Sequence, residues 1–185
     1  TIVSPNGQEE WVIGTSHEIT WTNTGWEKGA IRDNLSLQYS SNGGASWLTF
    51  STGELNDGSF LWSVADAKSA ACRVKIFDAT RVATQDSSDA DFSIVLPYIQ
   101  VLAPNGGESW PIGTSQNIQW KSVGAISDNL RLEYSKDNFI TTTVIANGIA
   151  KGDVNEDGVY IGSYTWSAVN DDYSTTVKLR VIDAN

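Results

Sequence analysis

The sequence predicts an all-β protein made of two tandem immunoglobulin/fibronectin-III-like β-sandwiches, and three observations carry that prediction. The first is internal repetition: Ser4-Pro5-Asn6-Gly7 returns as Ala103-Pro104-Asn105-Gly106, and further matches follow in order. Trp11 meets Trp110, Ile19-Thr20-Trp21 meets Ile118-Gln119-Trp120, and Asp33-Asn34-Leu35 meets Asp128-Asn129-Leu130. Ser59-Phe60-Leu61-Trp62 then meets Ser163-Tyr164-Thr165-Trp166, and the run from Arg73 to Ala79 meets the run from Lys178 to Ala184. The second is a period of two, as in Leu35-Ser36-Leu37-Gln38-Tyr39 and Leu130-Arg131-Leu132-Glu133-Tyr134, which marks half-buried antiparallel strands. The third is punctuation: Pro-Asn-Gly, Asn-Gly-Gly and Asn-Asp-Gly clusters cut these runs as turns do. Short strands at this spacing fit a two-sheet sandwich.

The first module covers residues 1–97 and the second 98–185. The join runs from Phe92 through Pro97 to Val101 without a Gly- or Ser-rich spacer, so restricted motion between modules is expected. After Asp78-Ala79 the first module continues through Ser87 to Ile94, which reads as its closing strand. The second stops at Asn185, just past Asp183-Ala184, and so reads as lacking its final strand. Either the chain is cut from a longer protein or another segment supplies that strand, and truncation is the simpler account. A sheet without its last strand exposes an unpaired edge.

Composition narrows the function classes. With 40% hydrophobic and 18% charged residues, the chain is expected to fold. Its net charge of -10 opposes phosphate backbones and anionic lipid, which argues against nucleic acid as a partner. The same charge suits divalent cations and basic surfaces. No segment approaches the roughly 20 apolar residues of a membrane helix, and nothing resembles a signal peptide. The chain is therefore read as a mature protein, or a piece of one, without direct membrane insertion. Cys72 stands alone, which rules out an internal disulfide and suggests a buried strand thiol.

The string Pro-Asn-Gly-Gly-Glu-Ser-Trp-Pro-Ile-Gly-Thr at 104–114, followed by Ile118-Gln119-Trp120, Leu132-Glu133-Tyr134-Ser135 and Gly162-Ser163-Tyr164-Thr165-Trp166, resembles a known module. It is similar to the sandwich domain of Ser/Thr-rich, glycolipid-anchored fungal cell-wall proteins of β-glucan assembly. That domain also recurs in secreted and surface-layer proteins of bacteria and archaea. The resemblance implies an extracellular or cell-surface location and a role in surface architecture, adhesion or glycan contact. It carries no catalytic residues to transfer.

Six of the 8 tryptophans occupy matched positions (Trp11 and Trp110, Trp21 and Trp120, Trp62 and Trp166). Recurrence of this kind points to the module's own core. Trp26 differs, because it lies in Gly25-Trp26-Glu27-Lys28-Gly29, a loop longer than its counterpart. An indole there suits stacking on a sugar face, and the plainer alternative is a loop residue folded over the sandwich end. Ser40-Ser41-Asn42-Gly43-Gly44-Ala45-Ser46-Trp47 is similar to an Asp-box hairpin, with Trp47 beneath the turn. In the second copy the pattern is expected to fail after Asp137, where Phe139 replaces Gly.

The sharpest chemical candidate is Asp153-Val154-Asn155-Glu156-Asp157-Gly158. Side-chain oxygens at alternate positions before a Gly match the start of a calcium loop. Asp153, Asn155, Asp157 and the Val159 carbonyl would be the ligands of Ca2+, with Asp171 or Asp172 completing the set. Tyr164 stands where the motif wants a bidentate Glu, and the plainer alternative is an acidic hairpin turn. Catalysis has little to work with. His17 is the one histidine and Cys72 the one cysteine, and both lie in strand patterns, so no base stands beside a nucleophile. Glu9 with Glu10, and Asp89 with Asp91, read as solvated charge in turns. The expected function is a non-catalytic structural or interaction module of a cell-surface or surface-layer protein, whose partners are neighbouring modules or copies. The alternative is a carbohydrate-binding accessory module.

Overall fold

The computed structural model describes residues 1–22, 34–155, 158–169 and 173–185. Among them the regular elements are all strands, and they divide into two compact units, Thr1–Leu96 and Pro97–Asn185.

In the first unit the strands are β1 (Ile2–Ser4), β2 (Glu10–Val12), β3 (Ser16–Trp21), β4 (Leu35–Ser40), β5 (Leu48–Glu54), β6 (Ser59–Ser63), β7 (Ser69–Asp78), β8 (Arg81–Ser87) and β9 (Phe92–Val95). One sheet runs β1-β3-β6, and the other runs β2-β9-β7-β4-β5 with β8 also on β7. The long β7 is shared along one side: β9 faces its start, where Cys72 opposes Phe92, and β8 faces its end, where Ile76 opposes Asp86. Alternation along the strands turns Leu35, Leu37, Val74 and Ile76 to the same side as Ile19, Trp21 and Trp62 of the other sheet. Both sheets thus feed one core, in which Trp11, Trp21 and Trp62 are each 5% exposed.

The second unit contains β10 (Tyr98–Ala103), β11 (Gln116–Val123), β12 (Leu130–Ser135), β13 (Thr143–Ile149), β14 (Asp153–Val154), β15 (Tyr160–Trp166) and β16 (Lys178–Asp183). Its sheets run β10-β11-β15-β14 and β13-β12-β16. The registers repeat those of the first unit. His17 opposes Trp62 and Ile19 opposes Phe60, while Gln116 opposes Trp166 and Ile118 opposes Tyr164. Leu35 opposes Asp78 and Tyr39 opposes Val74, while Leu130 opposes Asp183 and Tyr134 opposes Leu179. A one-residue slip would turn every core side chain to the wrong face, so matched register follows from matched patterning.

Two details differ from expectation. Trp120 and Trp166 are buried as expected, but Trp110 is only partly so, whereas its counterpart Trp11 is enclosed. Phe92 covers Trp11, with ring centroids 5.0 Å apart, and nothing among the described residues of the second unit takes Phe92's place. For the same reason 109–111 forms no strand, although its counterpart β2 pairs with β9.

Of the carboxylates read as solvated turn charge, Glu10, Asp89 and Asp91 are exposed as expected, and Glu9 has a structural role as well. Glu9 accepts the N–H groups of Asn6 and Gly7, each at 2.8 Å, and Glu108 does the same for Asn105 and Gly106, each at 2.7 Å. Each Glu closes its Pro-Asn-Gly turn, and the Asn105 N–H, followed by other backbone N–H groups, holds the Glu108 carboxyl below its usual range. Asp91 pairs with Arg73 at 2.5 Å, and Asp89 accepts a hydrogen bond from Asn6 Nδ2 at 2.9 Å.

Candidate functional site

The sharpest chemical candidate lies on the β14–β15 hairpin. Asp153 begins the short β14 opposite Ile161, and it is exposed. Asn155 N–H donates to the Val159 carbonyl at 2.9 Å, and Val159 N–H donates back to Asn155 Oδ1 at 2.9 Å. The carbonyl and amide oxygens assigned to a cation are thus engaged in closing the turn. Asp157, Asp171 and Asp172 lie outside the described residues, as does Trp26. Among the described residues, no three His, Cys, Asp or Glu side chains cluster for a metal ion. Calcium binding by this hairpin is expected to show as a melting temperature that falls on chelation and no longer does so in Asp153→Ala. Equal melting with and without chelator would show that the hairpin binds no calcium.

The Asp-box hairpin is built from a hydroxyl. Ser40 Oγ donates to Asn42 Oδ1 at 2.8 Å and accepts the Gly44 N–H at 2.9 Å, while Ser46 N–H donates to Asn42 Oδ1 at 2.9 Å. Gly43 and Gly44 take φ of 67° and 90°. The second copy keeps this turn, contrary to expectation. Ser135 Oγ donates to Asp137 Oδ1 at 2.7 Å and accepts the Phe139 N–H at 2.8 Å, and Thr141 N–H donates to Asp137 at 2.9 Å. Asn138 and Phe139 adopt φ of 58° and 67°, a region that side chains rarely occupy. The local hydrogen bonds and the Arg180 guanidinium, 4.7 Å from the Phe139 ring centroid, accompany this backbone.

The Thr141 hydroxyl, with its N–H and the Ser135 hydroxyl, holds the Asp137 carboxyl down to about 2 from its usual 3.8. A depressed carboxylate contributes stability that is complete above its unfolded value and is lost as pH falls through its folded one. Wild-type protein is therefore expected to lose stability between pH 3.8 and about 2, and Asp137→Asn to lose less over that window. Asparagine already fills this position in the first copy, where Asn42 Nδ2 donates to Ser46 Oγ at 2.8 Å. Urea titrations at both ends of the window measure the difference.

On the outer face of the first unit, Trp47, Lys75, Gln85, Asp86 and Ser87 line an open groove of about 400 Å³. No pattern in the sequence singled it out, because the turn before β5 and the strands β7 and β8 each supply part of it. Lys75 Nζ stands 4.3 Å from the centroid of the Trp47 ring, a cation–π contact. A sugar seated on that ring face would have to displace the ammonium. Asp86 Oδ2 already accepts the Ile2 N–H at 2.7 Å.

A second cluster escaped sequence reasoning. Glu133 lies on β12 opposite Arg180, and its carboxylate is almost fully enclosed. Arg131 Nε lies 2.6 Å from Oε1, and Arg180 approaches Oε2 through Nη2 at 2.7 Å and Nε at 2.9 Å. Alternation puts Glu133 and Arg131 together on the outward face of β12, which is correct, but Arg180 comes from β16 through register.

His17 is parked against the core. Its ring stacks on Trp11 at 4.7 Å and 2°, and burial lowers its pKa. Thr15 Oγ1 donates to the Val12 carbonyl at 2.7 Å, so at 2.9 Å it accepts from His17 Nε2–H. The Cys72 thiol is fully buried, lies 3.6 Å from the Ser69 carbonyl and has its pKa raised by burial.

No protein-family profile matches the chain, and no curated protein matches it. Among solved structures it is similar to a crystal structure of chicken CNTN1 FN1-FN3 domains, at 9% identity and a TM-score of 0.29. The alignment covers 96% of this chain and 57% of that one. A likeness at this level carries no argument about function.

Proposed function

We propose that the chain is a non-catalytic structural and interaction segment of an extracellular or cell-surface protein, composed of two immunoglobulin/fibronectin-III-like sandwiches in tandem. The observation that carries this reading is that what the two copies share is scaffold. The matched tryptophans pack in or against the cores, the matched glutamates close turns, and the matched serines build hairpins. Beyond β8 and β9 of the first unit, what the copies do not share lies in loops and outer faces, where contacts with other molecules are made. His17 and Cys72 serve packing, which supports a role without acid–base or thiol chemistry. The acidic charge and the resemblance to wall and surface-layer modules support the location, with neighbouring modules or copies as partners. Antibody labelling of intact cells of the source organism tests it, and labelling confined to permeabilised cells would overturn it.

The Trp47 groove is the observation that keeps carbohydrate binding as the second reading. Saturable binding to a wall polysaccharide, lost in Trp47→Ala, would put that reading first.

A further inference from the structure

The two copies treat one position on the outer sheet face differently. In the second unit Arg180 of β16 stands opposite Glu133 of β12, and that carboxylate answers its charge at 2.7 Å. The matching register of the first unit puts Lys75 of β7 in the place of Arg180 and Gln38 of β4 in the place of Glu133. Gln38 carries no charge, and its Nε2 donates to Thr49 Oγ1 at 2.9 Å. The first unit has the cation without the carboxylate.

Among the described residues no Asp or Glu pairs with the Lys75 ammonium. It meets ring faces instead, 4.3 Å from the centroid of Trp47 and 5.9 Å from that of Phe77. Asp86 is on the wall of the groove, but it stands opposite core-facing Ile76, and its Oδ2 accepts the Ile2 N–H of β1 at 2.7 Å. The residue of β8 opposite Lys75 is Ser87, and the one opposite Phe77 is Gln85. Successive side chains point to opposite faces of a strand, so Ser87 and Gln85 share the face of Lys75. The groove thus offers an ammonium, a hydroxyl and an amide beside a half-buried indole.

That arrangement discriminates by charge. An uncharged sugar ring reaches the Trp47 face only by lifting the ammonium away, and nothing offsets the lost cation–π contact. A sugar that carries a carboxylate takes up the ammonium as it leaves, through charge-assisted hydrogen bonds, while its C–H face covers the indole. We propose that the Trp47 groove binds acidic saccharides, whose rings bear a carboxylate. Lys75 is the partner of that carboxylate, Trp47 the stacking platform, and Ser87 and Gln85 the hydrogen-bonding groups for ring hydroxyls. The chain's net charge of -10 repels anions in general, so the affinity has to come from this one cation. The inference rests on the carbohydrate reading of this groove and names the class of sugar.

The test is calorimetric titration of the full chain with trigalacturonate, with its methyl ester and with hexaglutamate. Trigalacturonate is expected to bind about tenfold more tightly than the ester, and Lys75→Gln should remove that difference. Gln38→Glu should also weaken trigalacturonate about tenfold, because it gives Lys75 the internal carboxylate that Arg180 already has. Both variants should melt with the wild type, which separates lost binding from lost folding. Equal affinity for acid and ester overturns the proposal; if that binding is lost in Trp47→Ala, the carbohydrate reading survives it. Failure of either sugar to saturate by about 1 mM overturns both. Hexaglutamate binding as tightly as trigalacturonate overturns the proposal too, since the occupant would then be an acidic peptide, and so does a Gln38→Glu variant that binds like the wild type.

Discussion

Gly162→Ala is expected to destabilise the second unit by about 3 kcal/mol, the upper range for overpacking a filled core. Gly162 sits in β15 opposite Trp120, the largest fully buried side chain of that unit. A methyl group at Gly162 would overlap the indole at Cε2 and Nε1 and lie 2.5 Å from Cζ2. The indole has no retreat, because its Nε1–H donates to the Lys151 carbonyl at 3.1 Å. Gly148→Ala is the control. Its φ is +65° with nothing within 4 Å, so alanine there meets only the cost of left-handed backbone, about 1 kcal/mol. Urea denaturation of the two variants should separate them. In a Trp120→Phe background the Gly162→Ala penalty should shrink to about 1 kcal/mol, since contacting residues are not additive. Equal penalties in both backgrounds would show that indole overlap is not the cause.

The next largest effect belongs to the carboxylate between two arginines. Removing both guanidinium groups, as Arg131→Met with Arg180→Met, leaves Glu133 enclosed and uncompensated. Stripping the partners from a buried charge costs about 3 kcal/mol. Adding Glu133→Leu to that pair should recover most of the loss, because an apolar trio of similar volume needs no charge compensation. Glu133→Ala alone should cost less than the double arginine change, since both arginines keep part of their surface in water and can be solvated once unpaired. The order of the three variants in urea midpoints is the readout. If the triple variant is no more stable than the double, the carboxylate is not the source of the penalty.

The fold was legible wherever short-range pattern and long-range packing agree. Repetition and the period of two suffice to mark Leu35, Leu37, Leu130 and Leu132 as core-facing, while the pairing of β4 with β7 and of β12 with β16 is set by contacts between distant strands. Turn chemistry was legible in part. The glycines of the Asn42 hairpin announce it, but Phe139 conceals the same turn at Asp137, since hydroxyl and carboxylate bonds hold a backbone that composition argues against. The role of Glu9 and Glu108 was readable in principle, because the residue repeats at a fixed distance from Pro-Asn-Gly, yet one residue among turn charges does not reveal its donors. The Glu133 cluster and the Trp47 groove were not legible. Arg131 shares a face with Glu133 on one strand, but Arg180 is brought there, and Lys75 and Asp86 are brought beside Trp47, only by the register between strands.

Matching registers in consecutive units create a competition during synthesis. The edge of β7 that receives β9 in the first unit has a near-copy in β16, so the nascent chain faces two homes for one strand. Emergence from the ribosome favours the first, whose receiving strands are complete before the second unit exists. The buried Ser88 hydroxyl, the Ala90 N–H on the Asn6 carbonyl and the contact between Gly7 and Ala90 then latch that choice. Loosening the latch would turn an orderly pair of repeats into a chain that trades strands with its neighbours.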